Sequence, residues 1–470
     1  MTEERQGFQA GNSKDQKDQN KNLLSKGLPS KGRPADEVSA LVEQRLSSDL
    51  TFTSGNILGS MCSQPHPFAA SIFQQQLAKN IGDPGLHPAL AEMEVETIRI
   101  LGSLCGNPKA VGSIVTGGTE ANLLAMWTAK NNTPKERREV VLPETAHFSF
   151  DKAASLMDLT LVKVPVDPHN RVKLDEYRQA VGPRTMALVA IAGTTGLGAV
   201  DPISEIAKIA EKHHLYLHVD AAFGGFVLPF LEAAGYPVGD AAEAVNSEAA
   251  DSEVTESISG PGQKASLKAA GVFDFSLAGV SSITLDPHKM GRTPIPAGCI
   301  LYRSEEIAGS STTHVSYLAG GKTRQRTIVG TRSGAAVAAV WASLQHIGFD
   351  GYRDTVRRCM QNTYFLKNRI DAMSGIETVI PPVMNVLGIR PSQGTSEELA
   401  ESLRARGFAL SLFPGFLRIT LMPHLNQSHL ENFLQVLQDT LQDTVNPMQK
   451  IQKEEPNIHS NRNQGENDAR

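Results

Sequence analysis

The stretch Ser281–Gly291, SSITLDPHKMG, runs a short apolar segment directly into Asp286, His288 and Lys289. An amine at the end of a buried strand can condense with a carbonyl. Other apolar runs end in the same manner. They lead into TGGTEAN (Thr116–Asn122), ETAHFS (Glu144–Ser149), GTTGLGAVD (Gly193–Asp201) and DAAFGG (Asp220–Gly225). The first of these is a glycine turn that opens a helix expected from Thr119 to about Lys130, whose free N–H groups and dipole suit a phosphate. It is not the dinucleotide GxGxxG pattern, and neither GxxxxGKS nor GxxxxGKT occurs in the chain.

The elements that position these residues alternate. Apolar runs at Ser113–Thr116, Val140–Leu142, Ala187–Ala192, Leu215–Val219 and Ser282–Leu285 predict strands, most of them separated by helical patterns. One such helix begins at Asp201-Pro202, presents Ile203, Ile206, Ala207 and Ala210 on one face, and ends in Lys212, His213 and His214, where cations suit the C-terminal dipole. Continuous apolar strands with helices between them imply a parallel sheet covered on both faces, and such a sheet binds ligands beyond its carboxyl ends. A glycine turn, Asp220 and Lys289 at neighbouring strand ends then supply what pyridoxal phosphate requires: an anion cradle at Gly117–Thr119, an acid for the ring nitrogen and an amine for the Schiff base. After about Arg303 a long Gly- and Ala-rich helix follows Gly334, and a smaller α/β unit closes with an amphipathic helix carrying Leu430, Phe433, Leu434, Leu437 and Leu441.

Composition excludes several classes. The 470 residues carry 45 Lys and Arg against 50 Asp and Glu, a net charge of −5 with the basic residues dispersed, which gives no footprint for nucleic acid. No long apolar run offers a membrane span and the N-terminus lacks a secretory core, so a cytoplasmic protein is expected. Four scattered cysteines, Cys62, Cys105, Cys299 and Cys359, suit reduced structural thiols, and no metal site is expected. Residues 1–33 and 446–470 are polar and read as disordered tails, as does the acidic, Ser-rich insertion 241–268. Between them are expected an N-terminal helical segment, 34–60, a large cofactor-binding domain, 61–303, and a lid, linker helix and small C-terminal domain, 304–445.

TGGTEANLLAMW, HFSFDKAA, AGTTGLGAVDPI, LHVDAAFGGFVLPF and SITLDPHKMG resemble the group II pyridoxal-phosphate decarboxylases of fold type I. Within that group ILGSMCSQPHPFA, NIGDPGLHPAL, GTRSG and LRITLMPHL are most similar to the archaeal L-tyrosine/L-aspartate decarboxylases. The resemblance covers roughly Leu50 to Leu441 and departs at the tails and at the acidic insertion. It implies a large domain with a mainly parallel seven-stranded sheet, a small C-terminal α/β domain, and a homodimer with its site at the interface. It implies decarboxylation of L-aspartate to β-alanine for coenzyme A biosynthesis, of L-tyrosine to tyramine for methanofuran biosynthesis, or both. By the same resemblance Lys289 carries the cofactor, His147 stacks on its ring with Ala222 on the other face, and Asp220 pairs with the ring nitrogen. Gly117, Gly118, Thr119 and His288 hold the phosphate, Thr194 touches the ring hydroxyl or carboxylate region, and Arg418 grips the substrate α-carboxylate. Tyr317, in the polar stretch HVSYLAGGKTRQRTIVG, matches a lid tyrosine that protonates Cα. Alternatives are a decarboxylase of another amino acid such as glutamate, a carbon–carbon lyase sharing the His-Lys pair, an aminotransferase, and a non-catalytic scaffold.

Overall fold

The computed structural model describes residues 27–236 and 273–445. The expected insertion 241–268, the tail 446–470 and most of the N-terminal tail lie outside the described residues; 27–33 are exposed. The chain divides into one unit ending at Leu50 and another beginning at Thr51. In the first, the helix Ala35–Leu46 places Asp36 and Glu37 in its first turn and Arg45 in its last, charges that complement its dipole, and it buries none of its residues.

The second unit is built on a seven-stranded sheet: β1 (Val111–Val115), β2 (Glu139–Pro143), β3 (Thr160–Val164), β4 (Thr185–Ile191), β5 (Tyr216–Asp220), β6 (Val280–Leu285) and β7 (Gly298–Tyr302), in the order β1-β7-β6-β5-β4-β2-β3. β7 runs antiparallel to both β1 and β6, while the remaining pairs are parallel. The sequence of β4, TMALVAI, explains its place near the centre. Every residue is buried, Leu188 and Ala190 in the apolar cluster on one face and Ala187, Val189 and Ile191 in the cluster on the other. A strand wetted on neither face must be apolar throughout. The helix Ile203–His213 covers one face with Ile203, Ile206, Ala207, Ile209 and Ala210, and ends where His214 takes the left-handed conformation at φ 51°.

A second, four-stranded antiparallel sheet joins β10 (Ile376–Thr378), β11 (Val386–Pro391), β12 (Ser411–Phe413) and β13 (Phe416–Thr420), in the order β10-β11-β13-β12, after the hairpin β8 (Thr313–Leu318) and β9 (Gly321–Gln325). Its core is separate. The helix Gln427–Val445 contributes Leu430, Phe433, Leu434 and Leu437, all buried, with Leu441 packed at the edge. The helix Ser396–Ala405 starts in a reciprocal capping box between Thr395 and Glu398. The long helix Gly334–Asp371 bends at Gly348, whose φ of 62° is readily adopted by glycine and strained for other residues.

Candidate active site

Five of the parallel strand directions end at one cavity of about 310 Å³. Thr116–Glu120 arrive from β1, Thr145, His147 and Phe148 from β2, Gly193 and Thr195 from β4, Asp220, Ala222 and Phe223 from β5, and Asp286, His288 and Lys289 from β6. The fold therefore brings together most of the residues singled out from the sequence: Gly117, Gly118, Thr119, His147, Asp220, Ala222, His288 and Lys289 all line this space.

Lys289 Nζ lies 3.0 Å from Asp286 Oδ2. Burial works against its ammonium form, but the Asp286 and Asp220 carboxylates outweigh that cost and hold its pKa above the ordinary lysine value. His288 donates from Nδ1 to the Ala297 carbonyl at 2.6 Å, which leaves Nε2 toward Asp286 at 3.8 Å. Asp220 is buried; its Oδ1 accepts from the Ala222 N–H at 3.1 Å and its Oδ2 from Asn122 Nδ2 at 2.8 Å. His147 accepts at Nδ1 from the Ser149 N–H, and burial pushes its pKa down, favouring a neutral ring.

The glycine turn is tight for a stated reason. A Cβ on Gly118 would stand 2.8 Å from Asp286 Oδ2, and one on Gly298, at the start of β7, would stand 2.4 Å from Gly117 Cα. Only bare backbone leaves room there for an anion at the N-terminus of the helix Gly118–Asn131. Glu120 braces the turn: its Oε2 accepts from the Thr116 N–H and hydroxyl at 2.8 and 2.7 Å, and its Oε1 from the Ile328 N–H at 3.2 Å.

Pyridoxal phosphate fits this donor set. The turn would offer N–H groups to the phosphate, Asp220 lines the cavity as an acceptor for a ring N–H, Lys289 would supply the amine, and the buried Asp286 Oδ1 has no hydrogen-bond partner of its own.

Three expectations differ from the structure. Thr194 does not line the cavity: its hydroxyl turns away to Asn170 Oδ1 at 3.2 Å and the Ala199 N–H at 3.0 Å, and its neighbours Gly193 and Thr195 form the wall instead. Left-handed glycines at Gly193 and Gly198 shape that turn and aim Thr194 into it. Tyr317 is not at the cavity of its own chain; it is 86 % exposed on β8, because the expected lid pairs with itself as the β8–β9 hairpin. Arg418 is buried and stands behind the wall, donating to the Thr195 carbonyl at 2.7 Å, to Ser411 Oγ at 2.8 Å and to the Gly59 carbonyl, with its Nε left without a partner. Desolvation lowers its pKa to about 10.

Sequence reasoning missed Asn122, Asp286, Thr195 and Met61 in this cavity. Two of them had a signal, since Asn122 ends the quoted TGGTEAN and Asp286 opens DPHK.

The comparisons agree with the chemistry. A family model described as the pyridoxal-dependent decarboxylase conserved domain matches residues 18–248 and 266–388. The L-aspartate decarboxylase of Thermococcus kodakarensis is 41 % identical over 412 residues, 88 % of this chain and 98 % of that protein. A probable L-tyrosine/L-aspartate decarboxylase of Methanothermobacter thermautotrophicus is 40 % identical over 391 residues, 83 % of this chain and 98 % of that one. Among solved structures, the sphingosine-1-phosphate lyase of Burkholderia pseudomallei shares the fold with a TM-score of 0.75 at 24 % identity, covering 91 % of this chain and 95 % of its own. A lysine, an acid and a glycine turn at the carboxyl ends of β6, β5 and β1, together with relatives matched over nearly their full length, place this chain in the pyridoxal-dependent decarboxylase family, as an amino-acid decarboxylase.

Proposed function

We propose that the physiological substrate is L-aspartate, released as β-alanine for coenzyme A biosynthesis. The observation that supports this reading is the 41 % identity to an L-aspartate decarboxylase over 98 % of that protein's length, beside a cavity of about 310 Å³ for cofactor and substrate together. A four-carbon acid suits that space better than a phenol. Three cations near the hairpin are engaged elsewhere: Arg332 pairs with Glu94, and Arg324 and Arg326 with Glu305.

When bound, pyridoxal phosphate supplies the conjugated ring that accepts the electron pair left at Cα by departing carbon dioxide. The chain's own residues do the rest. Asp220 keeps a proton on the ring nitrogen, His147 covers one ring face and Ala222 the other. Arg418, donating to the Thr195 carbonyl at 2.7 Å, would set the cavity wall against which the substrate α-carboxylate lies. Lys289 would hold the cofactor through its amine and, beside Asp286, would carry the proton delivered to Cα.

We also read the enzyme as a cytoplasmic homodimer. Its described cysteines are all free thiols, as a reducing compartment keeps them. An apolar groove of about 560 Å³, lined by Phe68, Ile72, Leu90, Met93 and Trp341, supplies a surface for a second copy.

The test supplies the loaded enzyme with L-aspartate, L-tyrosine and L-glutamate and quantifies β-alanine, tyramine and 4-aminobutyrate. β-Alanine should form fastest; faster tyramine would overturn the assignment. In the same assay Arg418→Met should raise KM for L-aspartate about tenfold or more, the loss of one charge-assisted contact, while an unchanged KM would remove Arg418 from substrate binding.

A further inference from the structure

A chain of buried polar groups stands behind the cavity. His218 and Asp220 share one face of β5, Ser282 and Thr284 share one face of β6, and the strand register sets His218 opposite Ser282 and Asp220 opposite Thr284. Asn122, from the helix Gly118–Asn131, meets His218, Asp220 and Thr284. Its Nδ2 donates to Asp220 Oδ2 at 2.8 Å and to Ser149 Oγ at 2.9 Å; its Oδ1 accepts from Thr284 Oγ1 at 2.8 Å and faces His218 Nε2 at 3.0 Å. His218 Nδ1 lies 2.8 Å from Ser282 Oγ, which accepts from the Tyr216 hydroxyl at 2.7 Å. Asn122 is 1 % exposed, His218, Ser282 and Thr284 are fully buried, and all four bonding positions of the amide are used.

The directions of these bonds follow from Asp220. An ionised carboxylate only accepts, so the amide NH₂ must face it and Oδ1 must receive donors. His218 therefore carries its proton on Nε2 and accepts at Nδ1 from Ser282, whose oxygen takes the Tyr216 hydroxyl. Burial lowers the His218 pKa to about 4, which keeps this ring neutral. Every donor in the row from Tyr216 points toward Asp220. The second Nδ2 hydrogen satisfies Ser149 Oγ, freeing that hydroxyl to donate to His147 Nδ1 at 3.0 Å, so His147 keeps its own proton on Nε2.

We propose that Asn122 is a positioning residue that holds Asp220 as an aimed, ionised acceptor and, through Ser149, fixes the tautomer and tilt of His147, so that the acid and the imidazole flanking the cofactor are set by one amide. The inference rests on the reading of Asp220 as the partner of the ring nitrogen. The charged and titratable groups around Asp220 are His218 on its own strand, His147 from the loop after β2, and Lys289 with Asp286 from the turn after β6.

The experiment measures the dissociation constant and absorption spectrum of pyridoxal phosphate bound to the full chain across pH, for wild type, Asn122→Ala, Asn122→Asp and Asp220→Ala, with thermal unfolding as a check on folding. Asn122→Ala should bind about tenfold more weakly at every pH. Asn122→Asp is close to isosteric and sets two carboxyls at one hydrogen bond's distance, which must share a proton. It should bind like wild type at acid pH and lose affinity relative to wild type as pH rises, a profile that a merely space-filling role would not produce. If Asn122→Asp parallels wild type at all pH values while Asp220→Ala alters affinity and spectrum, the positioning role is overturned and the reading of Asp220 stands. If Asp220→Ala itself behaves as wild type, both fall.

Discussion

Lys289→Ala leaves a chain that gains no covalently held cofactor and whose turnover falls on the order of a thousandfold or more. Three features require this. Lys289 is the amine at the cavity end of β6, it lies near the Asp286 and Asp220 carboxylates, and among the described residues no other lysine lines the cavity. The substitution also strips Asp286 of its 3.0 Å partner, so the variant should unfold at a lower temperature than wild type. Borohydride treatment of the loaded wild-type enzyme should fix the cofactor to the peptide that contains Lys289. Recovery of the label on a different lysine would refute the assignment.

Asp220→Ala tests the other side of the ring. The carboxylate receives the Ala222 N–H on one oxygen and Asn122 on the other, and Asp220 lines the cavity. With the cofactor bound, its charge would keep the ring nitrogen protonated and the ring electron-poor. Removing it should lower kcat by about a hundredfold or more, equivalent to roughly 3 kcal/mol of transition-state stabilisation, while the phosphate turn still holds cofactor at higher concentration. A kcat near wild type at saturating cofactor would contradict the role.

These expectations were legible in the sequence to the extent that burial writes itself into composition. β4 is wetted on neither face and reads as a run that is apolar after its first residue, so the polar residues just beyond it stood out as a site. β3 and β7 did not. TLVKV lies at the sheet edge, half-exposed and carrying Lys163, and GCILY is a short strand whose place between β1 and β6 is set by long-range pairing. The choice between Thr194 and Thr195 was hidden for a similar reason, because adjacent threonines on a glycine turn differ only in which way the backbone aims them. Tyr317 shows the limit most clearly: a polar, glycine-bearing stretch reads as mobile cover, but its relation to the cavity depends on pairing with β9. The polar row behind Asp220 left a faint mark in His218, Ser282 and Thr284, polar side chains at alternate positions inside buried strands.

The most direct test of the central claim is the stoichiometry of a single reaction. The loaded enzyme is given L-aspartate labelled in its α-carboxylate, and carbon dioxide, β-alanine and oxaloacetate are quantified together. Loss of the α-carboxylate with return of a proton to Cα predicts one carbon dioxide for each β-alanine and no oxaloacetate. Oxaloacetate formed with the label retained would mean that Cα loses its proton rather than its carboxylate, and would contradict the account.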